Sequence, residues 1–305
     1  MRILIGVDGS HAADVACEFV ERRTWPLGTR VCLMSVVEPP VDLIGIAPSS
    51  DGTMAASEHT GLGLVLEERA DALRRHGLSV ESSIESGQAA DVLIDRAAES
   101  FTDLIVVGSR GLGPVARIVL GSVSTHLVDH ARCPVLVVRS PEATRMLLAT
   151  DGTRSSLGIP RVLGAWGNAF RGLPVEVLSV APRNAFVTPW GSTGDEEVAT
   201  EPAELAFHEG IAREVADEMM ELGWHAAAVA RAGDPARQIV STGAEWRADL
   251  IVTGSRGLGT LRRMVEGSVA HDVLLHARSS VLVIRGLVPA RIPQTASVLS
   301  RLSQA

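Results

Sequence analysis

Two glycine-rich segments have the residue types and spacing that suit phosphate binding. The first reads Gly108-Ser109-Arg110-Gly111 and is followed, after nine intervening residues, by Gly121-Ser122. An apolar run precedes it and a helical pattern follows it, so the segment predicts a loop between a strand end and a helix start. Free N–H groups and the positive end of the helix dipole favour an anion there. Glycine lets the backbone approach a ligand closely. The pattern predicts a cradle for a triphosphate.

The same segment occurs a second time in the chain. Residues 249–285 repeat residues 103–139 without a gap, with 22 of 37 positions identical at an offset of 146. The second segment reads Gly254-Ser255-Arg256-Gly257 and continues, after nine residues, with Gly267-Ser268. A period of this length indicates a duplicated domain instead of a small repeat unit.

Other nucleotide-binding motifs fit this chain less well. A Walker motif needs Gly-Lys-Ser/Thr after its glycines, and no such lysine is present. The dinucleotide fingerprint follows the first strand of its domain, whereas this loop follows the fourth. A pyrophosphatase-type Ser-Gly-Gly loop is also missing, since the first strand ends in Val7-Asp8-Gly9-Ser10.

The elements that must position these loops alternate between strand and helix patterns. Apolar runs predict parallel strands that are buried on both faces, and amphipathic stretches predict the helices between them. Ser10 is expected to cap the first helix. We predict strands at 3–7, 31–37, 78–84, 104–107 and 135–138, and helices at 11–23, 89–100 and 121–130. A further helix, between the second and third strands, has Leu62, Leu66, Ala70 and Leu73 on one face. This order predicts an α/β fold with a doubly wound parallel sheet.

The second half follows the same order of elements. Asp234 and Pro235 are expected to begin its third helix. Long loops are predicted at about 38–56 and 182–201, and the linker at 140–145. The predicted domains are residues 1–141 and 145–287, with a C-terminal tail at 288–305.

Composition narrows the function class. A net charge of −8 argues against nucleic-acid binding, which needs a basic face, and no apolar run is long enough to span a membrane. The first strand begins almost at the N-terminus, so no signal peptide is expected. Cys17, Cys32 and Cys133 lack metal-ligand spacing and are interpreted as small buried apolar residues. Together these features predict a cytoplasmic protein.

With its glycine pattern after the fourth strand and an Asp after the first, the chain resembles the ATP-binding class of universal stress proteins. The resemblance covers both halves. It implies two tandem, five-stranded, Rossmann-like domains related by a pseudo-two-fold axis. It also implies that the fifth strands, Val135–Val138 and Val281–Ile284, pair edge to edge within the chain.

The resemblance also assigns the site residues. It places Asp8 and Asp151 at the nucleoside and the backbone of Val36 and Val180 at adenine. Gly108 and Gly254 match the ribose-side glycine, Gly111 and Gly257 the phosphate-side glycine. The helix-start pairs Gly121-Ser122 and Gly267-Ser268 match the residues that hold the phosphates. The remaining candidates are Arg110, Val123, Ser124, Arg256 and Val269. The two arginines could reach a γ-phosphate, although solvated loop residues are the better interpretation of both.

Two departures distinguish the second site. Glu266 stands where the first half has Leu120, which places an acid near the phosphates, and Ala270 replaces Ser124. Arg262 and Arg263 partly offset the added acid. We therefore expect both sites to bind and the first to bind more tightly.

The function predicted on this basis is an ATP-binding, nucleotide-dependent regulator in the stress response, with Mg²⁺ held mostly by the phosphates. A further homodimer and an unidentified protein partner are expected, with no nucleic-acid or membrane partner. One alternative is a slow ATPase or phosphotransferase, although no general base occurs at a matched position in both halves. His130 and His276 do align, but a helix C-terminus explains both. The other alternative is a nucleotide-free dimerisation scaffold.

Overall fold

The structure, a computed structural model, describes residues 1–38, 53–109, 121–182, 202–255 and 269–285. In the first half, four helices separate five strands. In chain order these are β1 (Arg2–Gly6), α1 (His11–Glu21), β2 (Arg30–Val37), α2 (Thr53–Arg75), β3 (Ser79–Ser86), α3 (Ala89–Glu99), β4 (Leu104–Gly108), α4 (Ser122–His130) and β5 (Val135–Val138).

The second half repeats this order with one extra break. Its elements are β6 (Met146–Thr150), α5 (Arg154–Leu157), α6 (Ile159–Ala165), β7 (Pro174–Pro182), α7 (Pro202–Glu221), β8 (His225–Gly233), α8 (Pro235–Glu245), β9 (Leu250–Ser255), α9 (Val269–His276) and β10 (Ser280–Arg285). The predicted alternation of strands and helices is confirmed in both halves.

All ten strands form one continuous sheet. Their order is β3-β2-β1-β4-β5-β10-β9-β6-β7-β8, and every pairing within a half is parallel. The predicted tandem, doubly wound α/β fold is therefore confirmed. In each half the order in which strands are added to the sheet reverses next to the first strand. This switch point lies between β1 and β4 in the first half and between β6 and β9 in the second. Open α/β sheets bind ligands at such a switch point, beyond the carboxyl ends of the strands.

The two halves meet at their fifth strands, as predicted. β5 and β10 pair antiparallel, with Leu136 opposite Leu282 and Val137 opposite Val281. These side chains are completely buried. The pairing covers two strand edges that would otherwise expose unpaired backbone groups.

Two arginines related by the 146-residue offset secure this junction. Arg139 donates to the carbonyl oxygen of Leu274 in α9 at 2.5 Å, and Arg285 donates to that of Val128 in α4. Each guanidinium thus crosses to the last turn of the other half's helix. Carbonyl groups there lack helical partners, and the dipole favours a cation. The reciprocal contacts show the pseudo-two-fold relation in individual side chains.

Each side of the sheet is covered by helices from both halves. One apolar layer contains α1, α2, α6 and α7, and the other contains α3, α4, α8 and α9. An aromatic cluster crosses the boundary in the first layer. The Phe170 ring of the second half lies 6.3 Å from the Phe19 ring and edge-on to Trp25 at 6.0 Å. The hydrophobic core therefore runs through both domains.

The sequence missed one local break and the burial of one cysteine. The helix after β6 stops at Gly158, and α6 begins again with Pro160 near its start, because proline cannot supply the N–H that a continuous helix needs. The matching helix α1 is continuous and capped by Ser10, as predicted. The predicted loop at 38–56 was too long, since α2 already begins at Thr53. Cys17 and Cys133 are buried as expected, whereas Cys32 is only half-buried.

We expect Phe170→Ala to lower the free energy of unfolding by about 3–5 kcal/mol, because it removes the ring that joins the aromatic clusters of both halves. Urea denaturation of the full chain measures the change. Phe101→Ala is the control, since the Phe101 side chain is largely exposed. Equal losses in the two variants would contradict this account of the interface.

Candidate functional site

The first crevice begins at the turn after β1. Asp8 follows the strand, and its Oδ1 accepts a hydrogen bond from the backbone N–H of Ser10 at 3.0 Å. Gly9 between them has φ +77°. Ser10 in turn caps α1, because its hydroxyl accepts from the N–H of Ala13. The turn therefore fixes the Asp8 carboxylate between the end of β1 and the start of α1.

β2 extends past β1 along the side of this crevice. The ladder between them ends at Gly6 opposite Met34, while β2 stays paired with β3 as far as Val37 opposite Ser86. Among the described residues, the β1-facing side of Val36 therefore has no strand partner. Its peptide groups can hydrogen-bond a planar ring that enters next to Asp8. This is the position that the sequence assigned to adenine.

Gly108 lies where β4 meets the first turn of α1. A Cβ at this position would stand 2.6 Å from the backbone carbon and oxygen of Ala12, so no larger residue fits. The glycine thus brings the end of β4 directly against the helix that follows Asp8. The close packing of strand and helix alone requires glycine here, whether or not a ligand also touches it.

The chain returns from the predicted phosphate loop to the end of β4. The N–H of Gly121 donates to the carbonyl oxygen of Ser109 at 3.0 Å, so α4 begins directly beside that strand end. Gly121 is the N-cap and has no side chain with which to cap the helix. Ser122 is exposed, and the N–H groups of the first turn have no partner within the helix. This helix start can hold an anion.

Ser124 contacts the start of its own helix. Its hydroxyl is buried and donates to the carbonyl oxygen of Gly121 at 2.9 Å. The hydroxyl thus stabilises the first turn of α4. Its counterpart in the second half, Ala270, is buried as well. A ligand contact of Ser124, and its loss at Ala270, stays a prediction.

In the second crevice Asp151 is tied to neighbouring side chains. Its Oδ1 accepts from the Thr153 hydroxyl at 2.6 Å, from the Thr153 N–H at 3.0 Å and from the Ser156 hydroxyl at 2.8 Å. Position 13, which matches Ser156 when Asp8 is aligned with Asp151, is alanine. The two carboxylates lie in similar turns, and Thr153 matches Ser10, so the Ser156 hydroxyl is the donor for which the first half has only Ala13.

β7 also extends past β6, but here the side chain of His208 contacts the strand at Ser179. Its ladder with β6 ends at Thr150 opposite Ser179, and the ladder with β8 continues to Pro182 opposite Gly233. Val180, the predicted adenine contact, lies in this extension. The buried Ser179 hydroxyl is 2.8 Å from Nδ1 of His208 in α7. Burial lowers the pKa of His208, against the opposing effect of Glu204 and Asp151.

The sequence missed Ser35, Ser179 and His208 as residues of these crevices. Ser35 and Ser179 are matched residues of the repeat, and polar residues inside buried strands were the available signal. His208 gave no such signal, because the first half has Leu62 at the matched position. Only the packing of α7 onto β7 reveals that contact.

Several predicted site residues lie outside the described part of the chain. They are Arg110, Gly111, Arg256, Gly257, Gly267 and Ser268, together with Leu120, Arg262, Arg263 and Glu266. Of the second motif, Gly254 is the penultimate residue of β9 and lies beside Ser156, and Val269 begins α9.

No cluster of three or more potential metal ligands occurs in the described segments. Within the same segments, no helix has the length and apolarity that a membrane span requires. His130 and His276 lie in the last turns of α4 and α9, where their Nδ1 atoms contact the carbonyl oxygens of His126 and Asp272. These contacts agree with the interpretation of both histidines as helix C-terminal residues.

Comparison with known proteins identifies the family. The model of the universal stress protein family matches the chain twice, over residues 1–139 and 143–285. The chain belongs to the universal stress protein family. A universal stress protein of Mycolicibacterium smegmatis is 30% identical over 299 residues, covering 93% of this chain and 96% of that protein. One from Mycobacterium tuberculosis is 29% identical over 303 residues with the same coverage.

Solved structures support the fold of this universal stress protein. A universal stress protein from Archaeoglobus fulgidus superposes with a TM-score of 0.64 and 17% identity, covering 93% of this chain and 98% of its own. The relatives and this structure therefore share the tandem arrangement over nearly their full lengths.

Gly108→Ala and Gly254→Ala form a matched pair. We expect Gly108→Ala to lower the free energy of unfolding by about 1–3 kcal/mol through overpacking against Ala12. The Gly254 position has room, since a Cβ there would stand 3.4 Å from Cα of Ser156. Its variant should stay within about 1 kcal/mol of the parent. Urea denaturation compares the two, and a Gly108→Ala variant as stable as the parent would contradict the close packing.

Proposed function

We propose that this universal stress protein binds ATP at the crevice between β1 and β4 and acts as a nucleotide-dependent regulator in the stress response. Binding, instead of turnover, is the proposed activity. The first site is the tighter one.

The observation that carries the proposal is the hydrogen bond from Gly121 to Ser109. It fixes the start of α4 beside the carboxyl end of β4. Asp8 and the extension of β2 lie at the same end of the sheet. A helix start of this kind supplies N–H donors and a positive potential to phosphates. The N-cap glycine has no side chain to cover these donors, and the next residue, Ser122, is exposed.

The nucleoside end of the ligand fits the rest of the crevice. The β1-facing peptide groups beside Val36 offer a donor and an acceptor to the edge of adenine. The Asp8 carboxylate can accept a hydrogen bond from a ribose hydroxyl. The resemblance of both halves to the ATP-binding class of this family assigns these same positions, and Gly111 and Arg110 would lie nearest the terminal phosphates.

Mg²⁺ would enter with the nucleotide. Magnesium commonly keeps several water ligands and binds through substrate phosphates instead of a full cage of protein oxygens. The Ser122 hydroxyl is placed to contact either the phosphates or a water of the ion. The second site, with Val180, Gly254, Gly257, Gly267, Ser268 and Val269, is proposed as a weaker copy.

Regulation would follow from the contacts that a bound nucleotide makes at this end of the sheet. These contacts would favour one arrangement of the surface at the switch point, which a protein partner or a second copy of the chain can recognise. Since β5 and β10 already pair within the chain, a further homodimer would have to use another surface.

The proposal is tested by nucleotide release and by calorimetry. Denaturing the freshly purified protein should release ATP, and the emptied protein should bind added Mg-ATP. Asp8→Asn should weaken binding about tenfold, or ~1.4 kcal/mol, because it removes the charged acceptor for ribose. Asparagine keeps an oxygen that accepts from Ser10 N–H, so the turn is preserved.

Asp151→Asn is the matched control and should change the affinity of the first, tighter site for Mg-ATP little. Release of mostly ADP would support slow hydrolysis. A protein that releases no nucleotide and does not bind Mg-ATP would overturn the proposal and leave the dimerisation scaffold.

A further inference from the structure

The helices over the two crevices match each other residue by residue. The buried positions Leu66, Ala70 and Leu73 of α2 correspond to Ala212, Ala216 and Met219 of α7, all at the offset of 146. The same offset pairs Leu62 with His208. Each of these two residues therefore occupies the same place over its own half of the sheet.

The two serines below these residues have different partners. Ser35 and Ser179 are both buried on the side of the sheet that α2 and α7 cover. The Ser179 hydroxyl is hydrogen-bonded to Nδ1 of His208 at 2.8 Å. The Ser35 hydroxyl has no hydrogen-bond partner among the described residues. Buried polar groups without a partner are rare, and a ligand is one of the explanations for such a group.

α7 also reaches the turn that holds Asp151. A Cβ at Gly152 would stand 2.9 Å from Cδ1 of Ile211, whereas one at Gly9 would meet no described atom within 4 Å. Asp151 itself accepts from the hydroxyl of Ser156, where the first half has Ala13. The groups that a nucleoside would contact in the second crevice thus already contact side chains of the protein.

From this juxtaposition we infer that His208 is an internal plug of the second crevice, so that the chain binds one nucleotide tightly, in the first crevice. The inference rests on the proposed function and specifies its stoichiometry. A nucleotide enters the second crevice only when His208 leaves Ser179, and its apparent affinity falls by the fraction of molecules in that open state. In the first crevice Leu62 makes no such contact, and the Ser35 hydroxyl is available to the base.

Exchanging the two residues tests the plug. Calorimetry with Mg-ATP on the nucleotide-free full chain should give a tight stoichiometry near one. His208→Leu, which copies the first half, should raise it towards two. Leu62→His, which copies the second half, should weaken the affinity of the first crevice for Mg-ATP at least tenfold. His208→Gln is the further control, because its amide can still hydrogen-bond Ser179 and should keep the stoichiometry near one.

Two equally tight sites in the parent chain, or a stoichiometry unchanged by His208→Leu, would overturn the plug but leave ATP binding intact. Failure of the parent chain and of every variant to bind Mg-ATP would overturn the proposed function instead.

Nitrogen NMR of the imidazole gives a readout that needs no nucleotide. We expect the His208 ring to be held in one tautomer, with a pKa below the ordinary value, and its Nδ1 signal to move in Ser179→Ala. An Nδ1 signal that is identical in the parent and in Ser179→Ala would show that the ring is not held, which also overturns the plug.

Discussion

The antiparallel pairing of β5 with β10 is the constraint on which the rest of the structure depends. An open parallel sheet of five strands leaves its fifth strand as an exposed edge, and here each half supplies the edge that covers the other. Because the two strands run in opposite directions, the halves are related by a pseudo-two-fold axis. Helices of both halves then share each face of one sheet, and their cores merge.

This junction also fixes the ends of the helices that follow the glycine-rich segments. α4 and α9 start at the crevices and end at the pseudo-two-fold axis, where Arg285 and Arg139 cross to their last carbonyl groups. The same two helices also meet through His271 and Asp129, 3.5 Å apart. The junction and the crevices therefore lie at opposite ends of the same helices.

The two halves share an architecture but differ in the side chains at their crevices. The two crevices share their strand order, the turn after the first strand and the extension of the second strand. They differ in the side chains that line them: the Ser156 hydroxyl bonds Asp151 where the first half has Ala13, and His208 and Ile211 approach from α7. The broken helix after β6 belongs to the same set of differences, since Ser156, which bonds Asp151, lies within α5.

The sequence by itself determined the duplication, the alternation of strands and helices, the pairing of the fifth strands through the family resemblance, and the glycines at the switch points. These features follow from local patterns: apolar runs, helix caps and a repeat of 146 residues. Gly87 and Gly233 are further examples, because both adopt positive φ at the matched ends of β3 and β8.

Tertiary structure alone decided which polar groups meet. The contact between Ser179 and His208 joins residues 29 positions apart on different elements, and no local pattern sets that distance. The packing of Gly108 against Ala12 and the bond of Ser124 to Gly121 likewise depend on how a helix settles on the sheet. The physical reason is that periodicity specifies which face of an element is buried, whereas the partner of a buried hydroxyl depends on side chains that only the folded chain brings within 3 Å.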